Sequence, residues 1–159
     1  MNTLRVAIGC DHAAVAMKDG IVKSLREAGL TVQDEGTFSG DAVDYPDFAA
    51  RVASLVASGK ADRGIVLCGT GIGVCIAANK IPGIRAAVCH DVTTARLARR
   101  HNDANVLCMG ARTTGASTAA DAVAAFLETE FEGGRHVQRV RKIEALEGRH
   151  QSAGKETRR

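Results

Sequence analysis

Tryptophan is absent from the 159-residue chain, tyrosine occurs once and phenylalanine four times, so aromatics make up only 3% of it. With so few rings, neither a base-stacking platform for nucleic acid nor an aromatic-lined pocket for a flat ligand is expected, and a small polar ligand fits better. Charge of one sign is lacking too. The 21 Lys and Arg stand against 18 Asp and Glu, and a net charge of +3 is too small to indicate a nucleic-acid or membrane-surface partner. No apolar run approaches the roughly 20 residues that span a bilayer. The stretch Met1 to Arg5 lacks the apolar segment of a signal peptide, so a cytoplasmic location is expected. Cys10, Cys68, Cys75, Cys89 and Cys108 are odd in number and include no C-x-x-C pair. That excludes a disulfide framework or a zinc knuckle and predicts free thiols.

What is present is a core: 45% of the chain is apolar, enough for one domain. Leu4 to Gly9 reads as a short strand, and Met17, Ile21, Val22, Leu25 and Ala28 follow at helical spacing up to Gly29. The same alternation continues with strands at 30–33, 64–68, 84–89 and 106–109. Helices are expected at about 47–57, 72–79, 92–100 and 116–129. Five strands alternating with helices predict parallel pairing and right-handed crossovers. Gly64-Ile65-Val66-Leu67-Cys68 is apolar on both faces, so helices must cover both sides of the sheet. The expected architecture is α/β, a three-layer α/β/α sandwich around a five-stranded parallel, Rossmann-like sheet. Beyond the Gly133-Gly134 break, Val137, Val140, Ile143 and Leu146 form a stripe on an extra C-terminal helix, over about 135–147. It lies outside the sandwich and needs a cover, from its own domain or from a second copy of the chain. A single domain over 1–147 is expected, and 148–159, without apolar periodicity, reads as a disordered tail.

In such sheets ligands bind beyond the carboxyl ends of the strands. Three reactive clusters fall there: Cys10-Asp11-His12, Cys68 with Gly69-Thr70-Gly71-Ile72-Gly73, and Cys89-His90-Asp91. Alternate glycines let the backbone approach a ligand and aim its N–H groups inward, making a nest for an oxyanion. The loop is neither a dinucleotide fingerprint, which needs glycine where Val74 stands, nor a Walker loop, which needs Gly-Lys-Ser/Thr. As a bare turn it would simply pack helix against strand. Cys68 sits at its mouth, where a helix N-terminus favours the thiolate, and can serve as base or nucleophile. A cysteine phosphatase would carry Arg at position 74, so phosphate chemistry at sulfur is disfavoured. Cys75 and Cys108 read as small core residues. Asp11 can be an N-cap, and His101 a helix C-terminal residue favoured by the dipole. Arg135 and Arg139, four apart on one helical face, have the spacing to grip one phosphate.

Taken jointly, Gly9-Cys10-Asp11-His12, Asp44-Tyr45-Pro46, the loop 68–73 running into Ala77-Ala78-Asn79-Lys80, His101-Asn102-Asp103 and Gly133-Gly134-Arg135-His136 resemble the type B ribose-5-phosphate isomerases. The resemblance extends to about Leu146, and that family also holds enzymes acting on galactose, allose and four-carbon sugar phosphates. It implies aldose–ketose isomerisation through a cis-enediol, with no metal and no cofactor, in a homodimer or a tetramer whose active sites lie at the subunit interface. Some members place a glutamate base where this chain has Val74, so the resemblance assigns the base to Cys68. It makes His101 the ring-opening acid and gives Asp11 and Asn102 the sugar hydroxyls. Gly69 to Gly73 become the anion hole, with Gly71 and Ile72 inside it, and His12, Arg112, Arg135 and Arg139 gather around the phosphate. Tyr45 and Thr70 line the pocket, and Thr70 joins Cys68 and His101 as a catalytic candidate. The rival from another class is a non-catalytic module that binds a nucleotide or sugar phosphate, which would have no use for a base and a ring-opening acid together.

Overall fold

The computed structural model describes residues 3–156, with side chains described through Glu147. Its strands are β1 (Arg5–Cys10), β2 (Thr31–Asp34), β3 (Arg63–Cys68), β4 (Ala86–Val88) and β5 (Val106–Gly110). The helices are α1 (Val15–Glu27), α2 (Tyr45–Ala57), α3 (Ile72–Ala78), α4 (Val92–Asn102), α5 (Ala116–Glu128) and α6 (Arg135–Glu156). All strand pairs are parallel, in the order β2-β1-β3-β5-β4. Successive side chains along a strand point to opposite faces, and the sequence uses both. Val6, Ile8, Ile65, Leu67, Leu107 and Met109 pack with α1, α4 and α5 on one face. Ala7, Val66, Cys68, Val106 and Cys108 pack with α2 and α3 on the other. The expected three-layer α/β/α sandwich is therefore found. Gly64 has a packing reason: a Cβ there would stand 2.9 Å from Val52 of α2, so the small residue lets that helix lie close on the sheet.

Three of the departures from the expected boundaries have a clear local reason. Helix α2 starts two residues early because Pro46 fits the first turn, where its missing N–H costs nothing. Strand β4 is trimmed to three residues. Ile84 N–H turns back to the Ile81 carbonyl, and the amide of Asn79 bonds both the N–H and the C=O of Ala86 at 2.9 Å, capping the outer edge of the strand. Helix α6 runs on to Glu156, past the point where the composition suggests a disordered tail. Arg149, Gln151, Ala153, Lys155 and Glu156 are good helix formers, and they outweigh Gly148 and Gly154 there.

The stripe of α6 divides. Val140 is buried within the chain, whereas Ile143 and Leu146 remain 43% and 52% exposed beside Asn79, Lys80, Pro82 and Ile84. Arg85 ties α6 down by bonding Glu144 at 2.9 Å and Asp103 at 3.1 Å. No helix among the described residues is long and apolar enough to cross a membrane.

Candidate active site

Cys68 ends β3, 5% exposed, and its sulfur accepts the backbone N–H of Gly71 at 3.1 Å. The loop closes tightly enough to do this because Gly71 takes φ +79°, and a Cβ there would meet the backbone of Met109 at 2.8 Å. Thr70 turns its hydroxyl to the N–H of Ile72 at 3.3 Å. Tyr45, from the first turn of α2, lies directly over Gly73, where a Cβ would stand 2.5 Å from its ring. Ala111 and Arg112 donate their N–H groups to the carbonyls of Cys68 and Gly69, and the Arg112 side chain spreads along Gly69. Asp11, 7% exposed, is drawn to the same end by its N–H bond to the Leu67 carbonyl, and its carboxylate accepts from Ala13 at 2.9 Å. His12 Nδ1 accepts from Val43 at 3.2 Å, which fastens the loop before α2. Asp11, His12, Tyr45, Cys68, Gly69, Thr70, Gly71, Ile72, Gly73 and Arg112 are thus gathered at the carboxyl end of the sheet.

His101, Asn102, Arg135 and Arg139 are not among them. Helix α4 leaves the carboxyl end after β4 and runs back, so its last residues lie at the amino end of the strands, where Arg85 Nε bonds the Asn102 carbonyl. Cys68 pairs with Gly110 at one end of β5 and Asn105 precedes the other, a separation of about 13 Å or more at roughly 3.3 Å per residue. Arg99, 2% exposed, clamps this second group through Asp103, the Ala104 carbonyl and the Thr129 carbonyl. Around it stand Arg100 paired with Glu132 at 2.7 Å, and His136 stacked on His101 with centroids 4.4 Å apart. Within one chain, base and acid candidates face opposite ends of the molecule.

The other thiols differ in kind. Burial pushes Cys10 up to about 12 and Cys89 to about 11, whereas Cys75, half-buried, is drawn down to about 7, chiefly by a hydrogen bond from Cys108. Cys75 nevertheless packs partly buried against the α2/α3 core cluster, as its sequence context suggests.

Two participants carry no signal in spacing alone. Gly110 is one: a Cβ on it would stand 2.5 Å from the Thr70 backbone, so the nest rests on that bare strand end. A glycine closing the neighbouring strand is the trace this leaves in sequence. Glu132 is the other, legible only once α4 and α6 are known to meet. Gly110→Ala is expected to displace the nest and lower kcat/KM about 10²-fold, the scale of one lost oxyanion donor, while costing about 1–3 kcal/mol of stability. Steady-state kinetics beside a urea melt would check it, and unchanged kcat/KM would mean that the loop does not depend on this contact.

Comparison with known proteins decides the family. Residues 6–143 match the ribose/galactose isomerase family. The chain belongs to that family. It is 50% identical to ribose-5-phosphate isomerase B of Escherichia coli over 145 residues, 91% of this chain and 97% of that one. It is 48% identical to the D-erythrulose-4-phosphate isomerase of Pectobacterium atrosepticum over 141 residues, 88% and 93% of the two chains. Among solved structures, ribose-5-phosphate isomerase B of Clostridium thermocellum superposes with a TM-score of 0.91 at 50% identity, covering 92% of this chain and 99% of the other. The reaction class is aldose–ketose isomerisation of a sugar phosphate, which sets aside the reading as a non-catalytic binding module.

Proposed function

We propose that this enzyme interconverts ribose 5-phosphate and ribulose 5-phosphate through a cis-enediol, at sites assembled from two copies of the chain. The observation that carries the chemistry is the Cys68 sulfur at the mouth of the glycine nest, 3.1 Å from the Gly71 N–H. A proton on carbon beside a carbonyl becomes removable when preorganised N–H donors meet the developing enediolate oxygen, each worth about 3 kcal/mol. The thiolate takes the proton from C2 and returns it to C1. One base on one face suffices because the intermediate is planar. Asp11 and Asn102 hold hydroxyls, His101 moves the proton that opens the ring, and His12, Arg112, Arg135 and Arg139 bind the phosphate.

The assembly from two chains is supported by the placement of the two groups and by the surface between them. Ile72 and Ile76 on α3 are 56% and 57% exposed, and on α6 Ile143 and Leu146 are exposed beside Pro82 and Ile84, so both helices offer apolar side chains that the chain itself leaves uncovered. A two-fold axis that buries them in a homodimer would lay the partner's amino-end group against Cys68. A metal or cofactor has no part in this scheme: Cys68 carries the carbon-bound proton from C2 to C1, the hydroxyl proton passes from O2 to O1, which lie side by side in the cis-enediol, and His101 moves the ring-opening proton.

The pentose is favoured over a tetrose by what His101 is for. Ribose 5-phosphate is mainly cyclic, whereas erythrose 4-phosphate has its terminal oxygen blocked and cannot close a furanose. His101→Asn is expected to lower turnover of ribose 5-phosphate about 10²-fold or more, while solvent deuterium exchange on erythrose 4-phosphate stays nearly intact. Incubation of wild type and variant in heavy water with ribose, allose and erythrose phosphates, following ketose formation and exchange at C2, tests both substrate and role. Equal losses on cyclic and open-chain sugars would remove the ring-opening role from His101.

A further inference from the structure

His136 is 4% exposed, and its Nε2 has no hydrogen-bond partner; the nearest acceptor, Glu132, stands 3.8 Å away. Its ring lies flat against His101, with an interplanar angle of 10°. A buried, unpartnered imidazole costs stability, so the contact it makes calls for an explanation. Metal ligation is a poor one. His101, Glu132 and His136 bring one possible ligand atom each within 4.8 Å of one another, but parallel rings direct their nitrogen lone pairs along planes that do not meet. Arg100 already occupies the Glu132 carboxylate, and Arg135 and Arg139 add positive charge.

We infer that His136 is a positioning residue for His101: its buried ring fixes the plane and the outward edge of the His101 imidazole. The inference rests on the reading of His101 as the ring-opening acid. The rings stack at 4.4 Å with His136 buried and His101 half-buried at the helix end, so the inner ring is the fixed wall against which the outer one lies. Every group facing His136 is consistent with this. Burial, His101 on α4, and Arg135 and Arg139 on α6 hold His136 below the usual histidine range, opposed only by Glu132, whose charge Arg100 already balances. His136 is therefore neutral at neutral pH. A ring held from one side at the exposed end of a helix would otherwise sample several rotamers, and misplacement by about 1 Å costs as much as 10²-fold in rate.

The test compares His136→Phe, which keeps a flat ring, with His136→Leu, which fills the space without one. Each is assayed as the intact oligomer beside His101→Asn. With ribose 5-phosphate, His136→Leu should lower kcat about tenfold with little change in KM and shift the acidic limb of the pH profile. Exchange on erythrose 4-phosphate should be unaffected, and His136→Phe should recover most of the kcat. Wild-type kcat and pH profile in His136→Leu, alongside an impaired His101→Asn, would overturn the inference alone. A raised KM shared equally by both His136 variants would also overturn it, assigning the residue to the phosphate. An unimpaired His101→Asn would overturn the reading of His101 and the inference with it.

Discussion

Cys68→Ala should lose at least about 10³-fold in kcat on ribose 5-phosphate while sugar-phosphate binding survives, since the sulfur moves the proton and does not hold the phosphate. The side chain is small and lies where β3 meets the loop, so the fold should tolerate the change; Cys68→Ser, closer in volume, controls for a shift of the nest. Isothermal titration with ribose 5-phosphate checks binding, and coupled spectrophotometry checks turnover. Turnover within a few fold of wild type would remove Cys68 from the role. Alkylation gives a second view, but Cys75 complicates it. That thiol is half-buried and drawn below the usual thiol range, so it is the second sulfur to control for. In a Cys75→Ser background, inactivation should follow modification of Cys68 and be slowed by bound sugar phosphate. Cys10 and Cys89, held by burial at about 12 and 11, should stay unmodified.

Most of the fold is legible in the chain because each buried strand is a short apolar run bounded by turn residues. Ile65, Val66 and Leu67 need cover on both faces, and only helices on both sides supply it. What composition misses is side-chain substitution for backbone. Asn79 caps Ala86 through a contact seven residues away in sequence, which shortens β4 without any change in its apolar pattern. The candidate site is legible as a set of residues but not as a geometry. Cys68 and the glycine loop announce themselves by position after a strand. His101 reads as a helix end, and a helix that follows a parallel strand must end at the opposite side of the sheet. The order of elements thus already separated acid from base, although the motif pattern placed them together. Tyr45 over Gly73 and the Thr70 backbone over Gly110 depend on approaches of a few ångströms that no spacing rule encodes.

That separation makes the mixed-dimer experiment decisive. Cys68→Ala removes the base from the carboxyl-end group of its own chain, and Arg135→Ala removes a phosphate contact from the amino-end group of its own chain. Each homodimer should be nearly inactive. In a heterodimer of the two, one site receives intact Cys68 from one chain and intact Arg135 from the other, while the second site receives both defects. Purified heterodimers, isolated with two affinity tags, should therefore regain about half of the wild-type rate per dimer, and a randomly exchanged equal mixture about a quarter. Sites built within single chains give the opposite arithmetic, since every site then carries one defect and no exchange restores activity. Light scattering at low concentration should show the dimer on which this rests. Replacing Ile76, exposed on α3, by Asp should shift that equilibrium to monomer and abolish turnover, although Cys68, the glycine nest and the amino-end cluster all remain in place. A monomeric Ile76→Asp protein with wild-type turnover would show that one chain reaches its own acid, which the path of α4 argues it cannot.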